Sequence, residues 1–129
     1  MARMTLITPF IYCNNLETQI AFFRDRLGFK VGFQSSDPGY AFLKRDNAAV
    51  RLLETDMDLS DESREQMVYI DVDDVDALWR ELEPGLADLP KERVRAPFNQ
   101  FYDQREFHVK DEGACLLLFG MDHPYDGVE

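Results

Sequence analysis

An α+β domain built from two tandem β-α-β-β-β units is the fold this sequence predicts, on three observations. A six-residue alternating stretch closed by two short polar residues occurs twice, 59 residues apart. In each copy the hydrophobic period then changes from two to 3.6, as when a strand gives way to an amphipathic helix. Each copy is completed by an apolar stretch, a polar turn and a second apolar stretch, the pattern of a hairpin. A repeat of about 60 residues present only twice is too long and too few for a solenoid. It reads as an internal duplication, residues 5–55 and 65–120, within a single domain of 129 residues.

The first strand covers Thr8 to Cys13 and stops at Asn14-Asn15; its counterpart covers Met67 to Val72 and stops at Asp73-Asp74. Leu16, Ile20, Phe23 and Leu27 then share one helix face, as do Val75, Trp79, Leu82 and Leu86 in the second copy. Gly28 breaks the first helix and Pro84-Gly85 the second. A strand near Lys30–Gln34 follows in the first unit. Its counterpart is expected near Arg93–Ala96, within a longer loop between Pro84 and Phe101. The hairpins overlay at an offset of 65 residues, which sets Phe42 over Phe107 and Leu53 over Leu118. Residues 54–66 are acid-rich and without period, and read as a solvated connector, Glu54 included.

Bulk properties narrow the function. A formal net charge of −11 leaves nothing to neutralise phosphates, so nucleic acid is excluded as a partner. The same charge is compatible with a cationic ligand, although an acidic balance commonly serves solubility alone. No run approaches the roughly 20 apolar residues of a membrane span, and the N-terminus lacks the shape of a signal peptide. Cys13 and Cys115 fall on the helix-facing side of their strands and match no zinc spacing. Two buried free thiols point to a reducing compartment, the cytoplasm.

Three features carry a resemblance: the repeat, the segment Ala21-Phe22-Phe23-Arg24-Asp25-Arg26-Leu27-Gly28-Phe29, and the segment Gln104-Arg105-Glu106-Phe107-His108-Val109-Lys110-Asp111. Together they resemble the vicinal oxygen chelate superfamily, which comprises glyoxalases, bleomycin-resistance proteins and extradiol dioxygenases. The chain is most similar to the bleomycin-resistance branch, from about Thr5 to Gly120, although Glu112-Gly113-Ala114 replaces the usual Pro-Asp-Gly turn. The resemblance implies that each unit curls into half of an open cup with the helices outside. It also implies a homodimer, with a small molecule held in clefts between subunits, and a role in antibiotic resistance.

In superfamily enzymes the cup holds a divalent ion on His, Glu or Gln side chains. Carried onto this chain, the four positions are Thr8, Leu53, Met67 and Leu118. None is a ligand for a hard or borderline cation, so neither metal nor cofactor is expected. Alternation aims Phe10, Tyr12, Arg51, Tyr69, Asp71, Glu106 and His108 into the cup, an aromatic lining with a few polar groups. Phe33, Phe98, Phe101 and Tyr102 can cap it. The branch's stacking Trp position falls on Asp103, so stacking would come from Phe101 or Tyr102. For Arg51 the plain alternative is an ion pair with Asp71 or Glu106.

The leading expectation is therefore a non-enzymatic, bleomycin-resistance-like protein that sequesters a small, aromatic-containing molecule, for which a cationic group is compatible with the chain's charge. A glyoxalase- or dioxygenase-like lyase or isomerase is the alternative. It would need a relocated metal site or metal-free acid–base chemistry on Asp71, Glu106 and His108. A third reading is a scaffold whose cup is filled core. No catalytic residue is assigned, since no nucleophile elbow or phosphate-binding glycine loop is present.

Overall fold

A computed structural model describes residues 1–129. In chain order the elements are β1 (Phe10–Cys13), α1 (Leu16–Ala21), β2 (Lys30–Ser35), β3 (Tyr40–Arg45), β4 (Ala48–Glu54), β5 (Gln66–Asp71), α2 (Val75–Leu86), β6 (Val94–Gln100), β7 (Gln104–Lys110) and β8 (Cys115–Asp122). A π-helical turn over Phe22–Arg26 extends α1. The strands make two four-stranded sheets, ordered β1-β4-β3-β2 and β5-β8-β7-β6. In each, the first strand runs parallel to the last and the hairpin is antiparallel. This is the predicted α+β architecture: two β-α-β-β-β units as open mixed sheets. No helix is long and apolar enough to cross a membrane.

The short polar residues that close each first strand start the helices. Asn15 accepts the Thr18 N–H and Asp74 the Ala77 N–H, each at 3.0 Å, relieving amides that a helix leaves unpaired. Gly28, at φ +79°, takes the left-handed conformation that ends the first helix. Residues that alternate toward the helices form one buried cluster of 20 drawn from both units. Phe107 and Phe119 stack at its centre, with ring centroids 4.9 Å apart. Cys13 and Cys115 are free thiols within it, both pushed up to about 12, chiefly by burial.

Four expectations need correction. The second helix does not stop at Pro84-Gly85 but runs on to Leu86, whose buried side chain draws the last turn onto the core. The stretch expected as a long loop carries β6, which extends to Gln100 and bulges between Arg95 and Phe98. The hairpin overlay also shifts. Phe42 lies on the concave side under Arg51, whereas Phe107 is in the core, so Phe42 is not the counterpart of Phe107. Phe10 pairs with Arg51 as Tyr69 pairs with Leu118, which makes Arg51, not Leu53, the counterpart of Leu118. The slip is already present in β3, where Phe42 corresponds to His108, and the longer turn of the second hairpin adds one more residue to it. Finally, Glu54 is exposed but not merely solvated, since its carboxylate accepts the Leu16 N–H at 2.8 Å.

The units are tied by side chains. Gln19 on α1 is fully buried and donates to Asp111, itself 2% exposed, at 2.6 Å. The other Asp111 oxygen accepts the Gly113 and Cys115 amides at 2.8 and 3.0 Å. Gln66 at the start of β5 reaches the free edge of β1, donating to the Phe10 carbonyl and accepting the Tyr12 N–H. The first strands of the two units therefore face each other, bridged by a side chain and not by a strand ladder.

Candidate functional site on the concave sheet faces

The second sheet organises its concave face around one carboxylate. Glu106 on β7 is completely buried. Its Oε1 receives Tyr102 Oη at 2.6 Å, His108 Nε2 at 2.8 Å and Gln100 Nε2 at 3.0 Å. Its Oε2 receives Tyr69 Oη at 2.9 Å. The phenol also lies 2.9 Å from Gln104 Oε1, but its single hydrogen goes to the charged acceptor, the stronger of the two. Desolvation opposes ionisation of Glu106. The bonds from Tyr102, His108, Gln100 and Tyr69 outweigh it and hold the carboxyl below its ordinary value. An ionised carboxylate only accepts, so His108 Nε2 carries the proton it shares. Burial, and then the bond to Glu106, push both phenols up, Tyr102 to about 12.

Strand order makes this network depend on a glycine. Tyr69 on β5 must cross β8 to reach β7, and Gly120 stands between, paired with Glu106 on one side and Asp71 on the other. A Cβ at Gly120 would overlap the Tyr69 hydroxyl. A glycine inside an otherwise apolar strand was the available sequence signal for this close approach, and it was missed. Gln100 was missed too, because it lies in the part of β6 expected to be loop. Phe98 is packed within β6, not capping from a loop; its ring meets His108 edge-on at 5.1 Å, with Arg95 above it at 3.4 Å.

The first sheet gives its concave face to aromatic rings and one arginine. The register sets Phe33, Phe42, Arg51 and Phe10 in a single row across β2, β3, β4 and β1. Tyr40 and Tyr12 lie in the next row, on either side of Leu53. Arg51 lies over the Phe42 ring, 5.0 Å from its centroid, and donates from Nε to Thr8 Oγ1 at 2.8 Å and from Nη1 to Tyr40 Oη at 2.5 Å. Phe10 and Phe33 are about half exposed and flank Tyr40 at 6.4 and 6.1 Å.

The expected residues are thus brought together as two sets: Tyr69, Tyr102, Glu106 and His108 on one sheet, Phe10, Tyr12, Phe33 and Arg51 on the other. Asp71 joins neither. No three His, Cys, Asp or Glu side chains gather closely enough to hold an ion, so the proposed Asp71–Glu106–His108 convergence does not form. Nor does Arg51 pair with Asp71 or Glu106; hydroxyls take their place. Phe101 projects from the β6–β7 turn at 76% exposure, edge-on to Tyr102. A depression of about 690 Å³ lies between the β3–β4 turn and the start of α2, bordered by β5 residues that include Tyr69 and Asp71.

The positions implied for a superfamily metal do not fit one. Thr8, Leu53, Met67 and Leu118 offer one neutral hydroxyl and one thioether. Substituting Arg51 for Leu53, as the register requires, worsens the fit: its guanidinium touches Thr8 and repels a cation. Purified protein should therefore hold no stoichiometric zinc, iron, nickel or manganese by elemental analysis, and chelator should leave its melting temperature unchanged. One equivalent of any of these would refute this.

Comparisons with known proteins place the chain in a family. The sequence profile of the Glyoxalase/Bleomycin resistance protein/Dioxygenase superfamily matches residues 4–119. A search of curated proteins finds no match. Among solved structures, the bleomycin-binding protein of bleomycin-producing Streptomyces verticillus, in complex with copper(II)-bleomycin, superposes with a TM-score of 0.75 at 20% identity, over 98% of this chain and 100% of its own. A bleomycin resistance determinant encoded on transposon Tn5 gives 0.78 at 19%, over 92% and 98%. Lactoylglutathione lyase from Agrobacterium tumefaciens gives 0.67 at 16%, over 92% and 95%. At such identities the structural likeness establishes the fold, while the profile covers nearly the whole chain: the protein belongs to the glyoxalase/bleomycin resistance protein/dioxygenase superfamily.

Proposed function

We propose that this protein binds and sequesters a small organic molecule without transforming it, in the manner of the bleomycin-resistance branch. The observation that carries the reading is the closed state of the one acid–base cluster. A general base needs a free lone pair facing its substrate and a pKa near the working pH. Glu106 is buried, its oxygens are engaged by four donors, and its pKa is depressed. Tyr69 and Tyr102 are shifted away from neutrality. Such a network fixes ring positions; it does not move protons. The exposed rings around it suit a planar ligand, and the charge of −11 draws in one with a cationic portion. Antibiotic resistance in the cytoplasm, where two free buried thiols stay reduced, follows from this reading.

A homodimer completes the proposal. Leu6, Ile7 and Met67 are exposed along the N-terminal arm and the start of β5. A twofold partner would cover them and turn two open faces into enclosed clefts. Light scattering should give twice the chain mass of 15.0 kDa at micromolar concentration; a monomer alone would remove the inter-subunit cleft.

Calorimetric titration with bleomycin tests the binding reading. Phe101→Ala should weaken binding by up to about 30-fold, the upper range of a cation–π contact, and leave stability unchanged. Tyr102→Ala should weaken binding and also destabilise, because its hydroxyl holds Glu106. Unchanged affinity in both variants would exclude stacking by this turn.

A further inference from the structure

We infer that the concave face of the first sheet is a site for an organic carboxylate carried on a planar or aromatic body, held by Arg51, Thr8 and Tyr40. The inference rests on reading the concave faces as ligand sites, and adds the charge and chemical class that this face selects.

Its ground is a shortage of acceptors. Arg24, Arg26, Arg45, Arg64, Arg93, Arg95 and Arg105 each have a carboxylate within 4.0 Å. Arg3 and Arg80 are exposed. Arg51 alone is half-buried with no acid beside it, in a chain whose net charge is −11. A guanidinium has five N–H donors. Nε uses its hydrogen on Thr8 and Nη1 uses one on Tyr40, while Nη2 has no protein acceptor. Both hydroxyls accept from Arg51, and neither finds an acceptor for its own hydrogen. The cluster therefore offers charge and several unused donors from three side chains, and its only free lone pairs sit on two neutral hydroxyls held against the guanidinium, which repels a cation.

The surroundings set the ligand's body. Arg51 is the one polar member of the row Phe33–Phe42–Arg51–Phe10, so a bound carboxylate would sit among rings. The Phe42 face fixes the guanidinium plane, and a planar fork matches a carboxylate bidentately. Phe10 and Phe33 are open on either side of Tyr40 to take an apolar plate. The two faces thus differ in sign. The second sheet encloses a carboxylate; the first presents a cation that nothing neutralises.

The test titrates the full-length protein with three probes of one shape: 1-naphthoate, 1-naphthalenemethanol and 1-naphthylmethylammonium. Naphthoate should bind at least about tenfold more tightly than the alcohol, the increment of one charge-assisted pair. Arg51→Met should erase the difference. Tyr40→Phe keeps the ring and should weaken naphthoate alone, which covers the case in which the Arg51 variant fails to fold. If the alcohol or the ammonium binds as well as naphthoate, the anion assignment is overturned while the proposed function stands. If Arg51→Met folds and leaves naphthoate affinity unchanged, the assignment is likewise overturned. If none of the three binds, the inference falls; a failure of bleomycin to bind as well would bring down the sequestration reading with it.

Discussion

Glu106→Leu will lower the free energy of unfolding by about 3–5 kcal/mol, as removal of one member of a buried charged network does. The side chain leaves behind two phenols, an amide and an imidazole that were built around it. Glu106→Gln keeps the shape but turns an amide nitrogen toward donors, and should cost about 1–3 kcal/mol. Gly120→Ala should reproduce much of the loss without touching the carboxylate, since its methyl displaces the Tyr69 hydroxyl. The pH dependence has a definite sign. A depressed native pKa means that the contribution of Glu106 is present above the ordinary carboxylate value and is lost as pH falls through the depressed one. Urea titrations should show the wild type losing stability below about pH 4, with a shallower loss in Glu106→Gln. Equal stability of Glu106→Leu and wild type would mean that the network is decoration.

Gln19→Leu is the second large effect, at about 2–4 kcal/mol, because it strands the Asp111 carboxylate between the units. Asp111 has the opposite sign to Glu106. Burial is the main cause of its raised value, against the bonds from Gln19 and the Cys115 and Gly113 amides. The native state therefore holds this proton more tightly than the unfolded chain. Stability falls as pH rises from the ordinary carboxylate value through the raised one. Asp111→Asn should flatten that slope in urea titrations carried upward from the ordinary carboxylate value. An unchanged slope would assign it to other groups.

The duplication, the switch from strand to helix in each unit and the facing of most strand residues were legible in the sequence, because a period of two and a period of 3.6 are local patterns. Phe10, Tyr12, Tyr69, Glu106 and His108 were placed on the concave side by alternation alone. What was not legible depended on neighbours across the sheet. Register decides that Arg51 touches Thr8 and Tyr40, and no local pattern encodes the pairing of β1 with β4. A shift that begins in β3 and grows by one residue at the longer second turn moved the overlay and so misassigned Leu53. Burial of Glu106 also escaped, since a carboxylate on a concave face reads as a ligand contact until its partners from β5, β6 and the following turn are seen. That residue now stands behind the site and positions the rings that a ligand would meet.

Chelator-treated protein incubated with metal-free bleomycin provides the most direct measurement, with calorimetry for binding and mass spectrometry for the fate of the drug. Sequestration by a metal-independent cleft predicts saturable binding without added ion, and release of the drug at unchanged mass when the protein is denatured. Binding that requires a divalent cation, or recovery of a chemically altered drug, would contradict it.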